Sequence, residues 1–417
     1  MQTTPKSLRL HLAILGRTNV GKSTFMNYVA GQDLAITSDV AGTTTDVVEK
    51  AMELLPIGPV VLLDTAGLDD VTALAAERKG KTYKALEKAD IILLVMAGNT
   101  LGAFEEEVLE LSRAKKIPLV AVVNKIDVDL PNAVFRQKLK ENNLSYIEVN
   151  SLDYAKRDQV LTALKDLLAT MISKEFHAPP PLIDDILPEQ ALAVLIVPID
   201  IEAPKGRLIL PQVQTIRAIL DHNAMTMIVK ESEYAQSLTL LKSKPDLVIC
   251  DSQVVDKMAA ETPQDVPCTT FSILFGRLKG DLNEYAKGAA MIDALKAGDR
   301  ILIAEACSHH ALDDDIGRVK IPRWLKQYTG YDFKYDVVAG HDFPLDLTPY
   351  KLIVHCGGCM VNRAAVYSRL QRARDQKVPI TNYGICISKT QHVLERVLSP
   401  FKSALAAYNT AMAKITQ

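Results

Sequence analysis

The chain has 417 residues, 48% of them hydrophobic and 24% charged, with 48 basic and 50 acidic side chains. That balance excludes a disordered chain, a collagen-like chain and a disulfide miniprotein, and the length suggests about two to four domains. Charge is even along the chain: residues 1–175 carry 21 basic and 23 acidic groups and the remainder 27 of each. Neither part is a polycation, so a broad phosphate-backbone footprint is not expected. No apolar run is long enough to span a membrane. The segment Met1–Lys6 lacks the apolar core of a signal peptide, so a cytoplasmic protein is expected.

Apolar runs alternate with helical patterns, which predicts an α/β chain of three domains, each a mostly parallel sheet with flanking helices. In the first block, residues 1–174, strands are expected at Leu8–Leu15, Val60–Leu63, Ile91–Met96, Leu119–Val123 and Tyr146–Val149, with helices such as Glu77–Lys88 and Phe104–Ala114. The segment His177–Pro181 holds three prolines and reads as a linker, because proline lacks an N–H and fixes φ. The second block, 175–266 with the linker, has expected strands at Ala193–Val197, Met225–Val229 and Leu247–Cys250 and a helix at Val213–His222. It is small for an independent core, which predicts a homodimer formed through residues near 180–265. The third block, 267–417, has expected strands at Arg300–Glu305, Phe333–Val338, Leu352–Val354 and Ile380–Tyr383. Helices are expected at Asp281–Leu295, Arg318–Tyr328, Arg363–Gln376 and Ser388–Val397.

Gly16-Arg17-Thr18-Asn19-Val20-Gly21-Lys22-Ser23 matches G-x-x-x-x-G-K-[ST] between an expected strand and an expected helix. Gly16 and Gly21 let the backbone wrap phosphates, and Arg17 to Thr24 continue the loop into the helix. Lys22 reaches the β and γ phosphates, and Ser23 ligates Mg²⁺. The helix start adds its positive end. Asp64-Thr65-Ala66-Gly67 ends an apolar strand; Asp64 would act on Mg²⁺ through water and the Gly67 N–H would sense the γ-phosphate. Asn124-Lys125-Ile126-Asp127 ends another. The Asp127 carboxylate accepts two hydrogen bonds that guanine offers and adenine does not, which makes GTP the nucleotide.

With Asn19 and Gly42-Thr43-Thr44-Thr45-Asp46, this block resembles the GTPase branch containing TrmE and Era. The resemblance implies that Thr44 closes on Mg²⁺ and that Asn19 helps bind a K⁺ ion beside the phosphates. Catalysis then falls to Lys22, Thr44, Asp64 and Gly67. Thr45 departs from the branch's usual arginine. Leu68 stands where Ras-type enzymes place a water-orienting glutamine, so slow, potassium-stimulated hydrolysis is expected. Asn150-Ser151-Leu152 replaces the usual Ser-Ala-Lys guanine loop, leaving Ser151 as a weaker nucleotide-binding candidate.

Six cysteines, at 250, 268, 307, 356, 359 and 386, all lie in the last 170 residues. In a reducing compartment they serve metal chemistry, redox chemistry or burial. Cys307-Ser308-His309-His310 and His355-Cys356-Gly357-Gly358-Cys359 each follow an apolar strand, and ligands gather beyond the carboxyl ends of parallel strands. Three thiolates and an imidazole fit zinc, and they fit a [4Fe–4S] cluster with a weaker fourth ligand. Cys250 and Cys268 read as core. Cys386 reads as a loop residue.

Cys-x-His, then 45 residues (310 to 354), then His-Cys-x-x-Cys, behind a GTPase block, resembles the [FeFe]-hydrogenase maturation GTPases, the HydF family. The resemblance implies three domains, for GTP, dimerisation and cluster binding. It implies a [4Fe–4S] cluster on Cys307, Cys356 and Cys359, with His309 in the place of the variable fourth ligand; His310 and His355 are the alternatives. It also implies a carrier role: a two-iron precursor received from the radical-SAM enzymes HydE and HydG and delivered to apo-hydrogenase. The competing reading is an RNA-directed GTPase of tRNA modification or ribosome assembly with a structural zinc.

Overall fold

The computed structural model describes residues 4–31, 48–64, 85–172, 180–199, 205–306, 315–340 and 342–415. The chain divides into two compact units, residues 1–178 and 179–417.

The first unit is built on six strands, β1 (Leu10–Leu15), β2 (Val48–Leu54), β3 (Gly58–Asp64), β4 (Ile91–Ala97), β5 (Leu119–Asn124) and β6 (Ser145–Glu148). Their order across the sheet is β2-β3-β1-β4-β5-β6. All neighbours run parallel except β2, which pairs antiparallel with β3. The run Ile91–Met96 shows why the strands read as unbroken apolar stretches. Ile91, Leu93 and Val95 enter one core with Phe25, Tyr28 and Leu164, while Ile92, Leu94 and Met96 enter another with Val108, Phe135 and Leu139. A sheet covered by helices on both faces buries both sides of each strand. The strand order reverses beside β1, and the phosphate loop leaves the carboxyl end of that strand, where such sheets bind ligands.

The second unit holds two four-stranded parallel sheets. The first contains β7 (Leu192–Ile196), β8 (Met225–Val229), β9 (Leu247–Cys250) and β10 (Cys268–Thr270), in the order β10-β9-β7-β8. The boundary expected at residue 266 therefore precedes this sheet's last strand. The second contains β11 (Arg300–Ala304), β12 (Lys334–Val338), β13 (Leu352–His355) and β14 (Ile380–Asn382), in the order β12-β11-β13-β14. One continuous apolar core joins the two sheets, running from Leu182 to Tyr408. The helix Phe271–Lys279 follows directly on β10 and contributes Phe271, Ile273, Leu274 and Phe275 to that core. Among the described residues no helix is long and apolar enough to cross a membrane.

Three expected elements differ, one being the helix expected over Ser388–Val397, which is divided between the helices Tyr383–Thr390 and Leu394–Leu398. The strand expected to reach Tyr383 ends at Asn382, whose side chain accepts the Ile385 N–H at 2.8 Å and starts a helix over Tyr383–Thr390. Cys386 therefore lies inside a helix and not in a loop, and burial pushes its thiol up to about 12. The helix expected from Arg318 begins as a π-turn over Ile316–Lys320 and continues as an α-helix over Ile321–Thr329.

Candidate functional site

The phosphate loop connects β1 to the helix Lys22–Ala30. Gly21 sits at φ +92°, and a Cβ there would lie 2.4 Å from the Asn124 side-chain nitrogen, so only glycine fits. Asn19 is left-handed at φ +64°, its side chain exposed. The Lys22 ammonium donates to the carbonyls of Gly16 at 2.8 Å and Arg17 at 2.7 Å, across the mouth of the loop. The Ser23 hydroxyl donates to Asp64 Oδ2 at 3.1 Å. Ser23, in the first turn of that helix, and Asp64, the last residue of β3, thus stand together, an oxygen pair that suits a hard cation.

The guanine side is also assembled. Asn124 is buried; its amide donates to Val20 O at 3.0 Å and its oxygen accepts the Ser151 hydroxyl at 2.8 Å. Lys125, left-handed at φ +59°, and Asp127 lie just beyond β5 with exposed side chains. Thr18 is exposed, Val20 is buried, and Thr24 lies in the first turn of the helix. Arg17 pairs with Glu105, a buried carboxylate on the helix Ala103–Lys115 that also accepts the Gly102 N–H at 2.9 Å. Nothing in the motif pattern marked Glu105. Thr44, Thr45, Gly67 and Leu68 lie outside the described residues.

The second site lies in the third sheet. Its order reverses between β11 and β13, and Ala306 and Cys356 lie just past the carboxyl ends of those two strands. The Ala306 N–H donates to the Cys356 sulfur at 3.0 Å, and the Gly358 N–H donates to the same sulfur. Burial pushes the Cys356 thiol up to about 11 against those two donors. Cys356 and Cys359 are half-buried. Gly358 holds φ +64°, which lets the chain curl between them. Two cysteines on a tight loop, with N–H groups aimed at sulfur, fit a thiolate-bound metal or cluster. Among the described residues no three His, Cys, Asp or Glu side chains group around one metal position. Cys307, His309 and His310 lie outside the described residues; Cys307 is the residue after Ala306.

His355 is committed elsewhere. Its Nε2 faces an Arg369 guanidinium nitrogen at 2.9 Å, and its Nδ1 faces Cys356 O at 2.6 Å. A guanidinium only donates, so Nε2 accepts and Nδ1 carries the proton. Burial, reinforced by Arg369, pulls this imidazole down to about 3, so it is neutral. Both nitrogens are occupied, which removes the lone pair a ligand would need. Two further residues escaped the motif reading: Arg369, which fixes His355, and Lys279, which lies buried beneath the Cys356–Cys359 loop. Burial pulls the Lys279 ammonium down to about 8, opposed by Cys359 and Cys356. Cys250 and Cys268 are buried in the other sheet of this unit.

Three family models match the chain. The 50S ribosome-binding GTPase model matches residues 11–125. The hydrogen maturase F dimerization domain matches 182–280, and the hydrogen maturase F tetramerization domain matches 283–400. The chain belongs to the hydrogen maturase F family.

The amino-terminal unit of this hydrogen maturase F chain is a P-loop GTPase domain, a fold built for a guanine nucleotide and Mg²⁺. Curated relatives share that part. GTPase Der of Helicobacter hepaticus is 42% identical over 120 residues, 28% of this chain and 24% of that protein. The tRNA modification GTPase MnmE of Lactobacillus helveticus is 34% identical over 204 residues, 43% of each. The chain thus spans a quarter to less than half of the length of these two relatives. Among solved structures, Aquifex aeolicus Era bound to GDP·AlF4⁻ is 18% identical, covering 56% of this chain and 98% of that one at a TM-score of 0.33. The G domain of T. maritima FeoB is 17% identical, covering 40% and 99% at 0.26.

Proposed function

We propose that this chain is a GTP-hydrolysing scaffold and carrier in [FeFe]-hydrogenase maturation. It binds GTP with Mg²⁺ on Ser23 and Thr44, discriminates guanine through Asp127, and uses a K⁺ ion beside Asn19 in place of the side chain that Leu68 lacks. A [4Fe–4S] cluster is held by Cys307, Cys356 and Cys359, with His309 at the fourth, exchangeable corner. The observation that carries this reading is the Ala306 N–H on the Cys356 sulfur. It supports a meeting of the two cysteine segments at one sheet end, in a chain that also has a GTPase domain.

When bound, the cluster supplies an iron with a replaceable ligand. This chain's residues orient the thiolates and direct N–H groups at sulfur. The cargo is a two-iron precursor, received from HydE and HydG and delivered to apo-hydrogenase. Self-association is supported by the edge strand β8, where Met225 and Ile228 are exposed. The test is an anaerobic preparation assayed for iron, acid-labile sulfide and GTP turnover. Iron and sulfide in equal amounts, with GTP hydrolysis, are expected. Zinc without sulfide would contradict the reading.

A further inference from the structure

We propose that Lys279 is the fixed counter-charge of the thiolate-bound group at Cys356 and Cys359, and the residue that holds their loop in its binding shape. The proposal rests on the reading that these cysteines hold a cluster.

Lys279 is the last residue of the helix Phe271–Lys279, and only 2% of it is exposed. Its ammonium does not turn back onto its own helix. It donates to Gly358 O at 3.1 Å, Cys359 O at 2.9 Å and Val361 O at 2.7 Å. An ammonium has three N–H groups, and all three are used. Among the described residues no carboxylate pairs with it. A buried cation without an acid is costly, and buried charges are retained where an opposite charge is present. The loop that it holds carries the Cys356 and Cys359 side chains, which become thiolates when they bind a metal or cluster.

The loop has two polar sides. Its carbonyls at Gly358, Cys359 and Val361 wrap the ammonium, and the Gly358 N–H is directed at the Cys356 sulfur. The ammonium therefore fixes the backbone of the loop whose N–H group serves the sulfur. A cluster on three thiolates adds negative charge on the sulfur side. Lys279 is a positioning residue for that charge; among the described residues its ammonium bonds to backbone carbonyls alone.

The test uses the full chain reconstituted anaerobically with ferrous iron and sulfide. Lys279→Gln keeps two donors for the carbonyls but removes the charge; Lys279→Met removes both; Lys279→Arg keeps charge. Iron loss to a chelator and the cluster's midpoint potential are read, with circular dichroism as the check on folding. In Lys279→Gln, iron loss should be several-fold faster and the potential more negative, with Lys279→Arg recovering most of both. Lys279→Met should be the most affected. If Lys279→Met fails to fold, the glutamine and arginine variants still decide. Wild-type release and potential in Lys279→Gln, with iron bound normally in the wild type, would overturn this proposal alone. A wild-type chain that binds no iron would overturn the cluster reading and this proposal with it.

Discussion

The oxygen of Asn124 accepts both the backbone N–H of Ser151, at 3.2 Å, and its hydroxyl, at 2.8 Å, across 27 residues of chain. Its nitrogen holds Val20 O in the phosphate loop. One buried amide therefore ties the ends of β5 and β6 to the loop that receives the phosphates. Asn124→Ala should leave buried polar groups unpaired and destabilise the amino-terminal unit by about 3 kcal/mol, and should weaken GTP binding as well. Chemical denaturation and nucleotide titration of that variant check both. Unaltered stability would show that the three bonds are dispensable.

Asp127 lies exposed beyond β5, free to accept from a base edge. Asp127→Asn turns one acceptor into a donor and should shift preference from GTP toward xanthosine triphosphate. Competition binding with the two nucleotides measures it, and an unchanged ratio would refute the assignment.

Hydrolysis should be slow and should rise when K⁺ replaces Na⁺, with the response lost in Asn19→Ala. Asn19 is already left-handed in the phosphate loop, with its side chain exposed. Equal rates in both salts would remove the potassium ion from the account.

Apart from the three-residue β10, the strands of the parallel sheets were legible; the central ones have both faces buried, which makes each an unbroken apolar run. The strand β2 was not. Val48–Leu54 is rich in helix formers, yet it lies at the sheet edge, with Glu49 paired to Lys6 at 3.0 Å and to Lys88 at 2.9 Å. Tertiary pairing outweighs local propensity there. The helix Tyr383–Thr390 carried a readable sign, since Asn382 is a good cap, but its apolar start extends the pattern of β14. Of the sites, the glycine, lysine and cysteine motifs were readable because the chemistry needs those residue types at short spacing. Lys279, Arg369 and Glu105 were not readable. Each acts on a partner 14 to 88 residues away, and nothing local distinguishes it from a solvated charge.

His11 gives the amino-terminal unit a pH dependence. It is buried on β1, Nδ1 donates to Arg9 O at 2.8 Å, and burial pulls the imidazole from 6.5 down to about 4. The unfolded chain therefore binds the proton first as pH falls. Stability should be full above pH 6.5 and should decline toward pH 4, with about 2 kcal/mol lost between pH 7.5 and 5. His11→Gln should lack that part of the decline. Parallel stability curves for the two proteins would contradict the assignment.

The central claim is that one chain carries two chemically separate sites, one for GTP and one for a thiolate-held cluster. The direct measurement is iron, sulfide and GTP turnover on anaerobically reconstituted Lys22→Ala and Cys356→Ser side by side. The account predicts that Lys22→Ala keeps its iron and sulfide and loses turnover, while Cys356→Ser loses iron and sulfide and keeps turnover. A Cys356→Ser chain with the full iron and sulfide complement, or a Lys22→Ala chain stripped of it, would contradict the account.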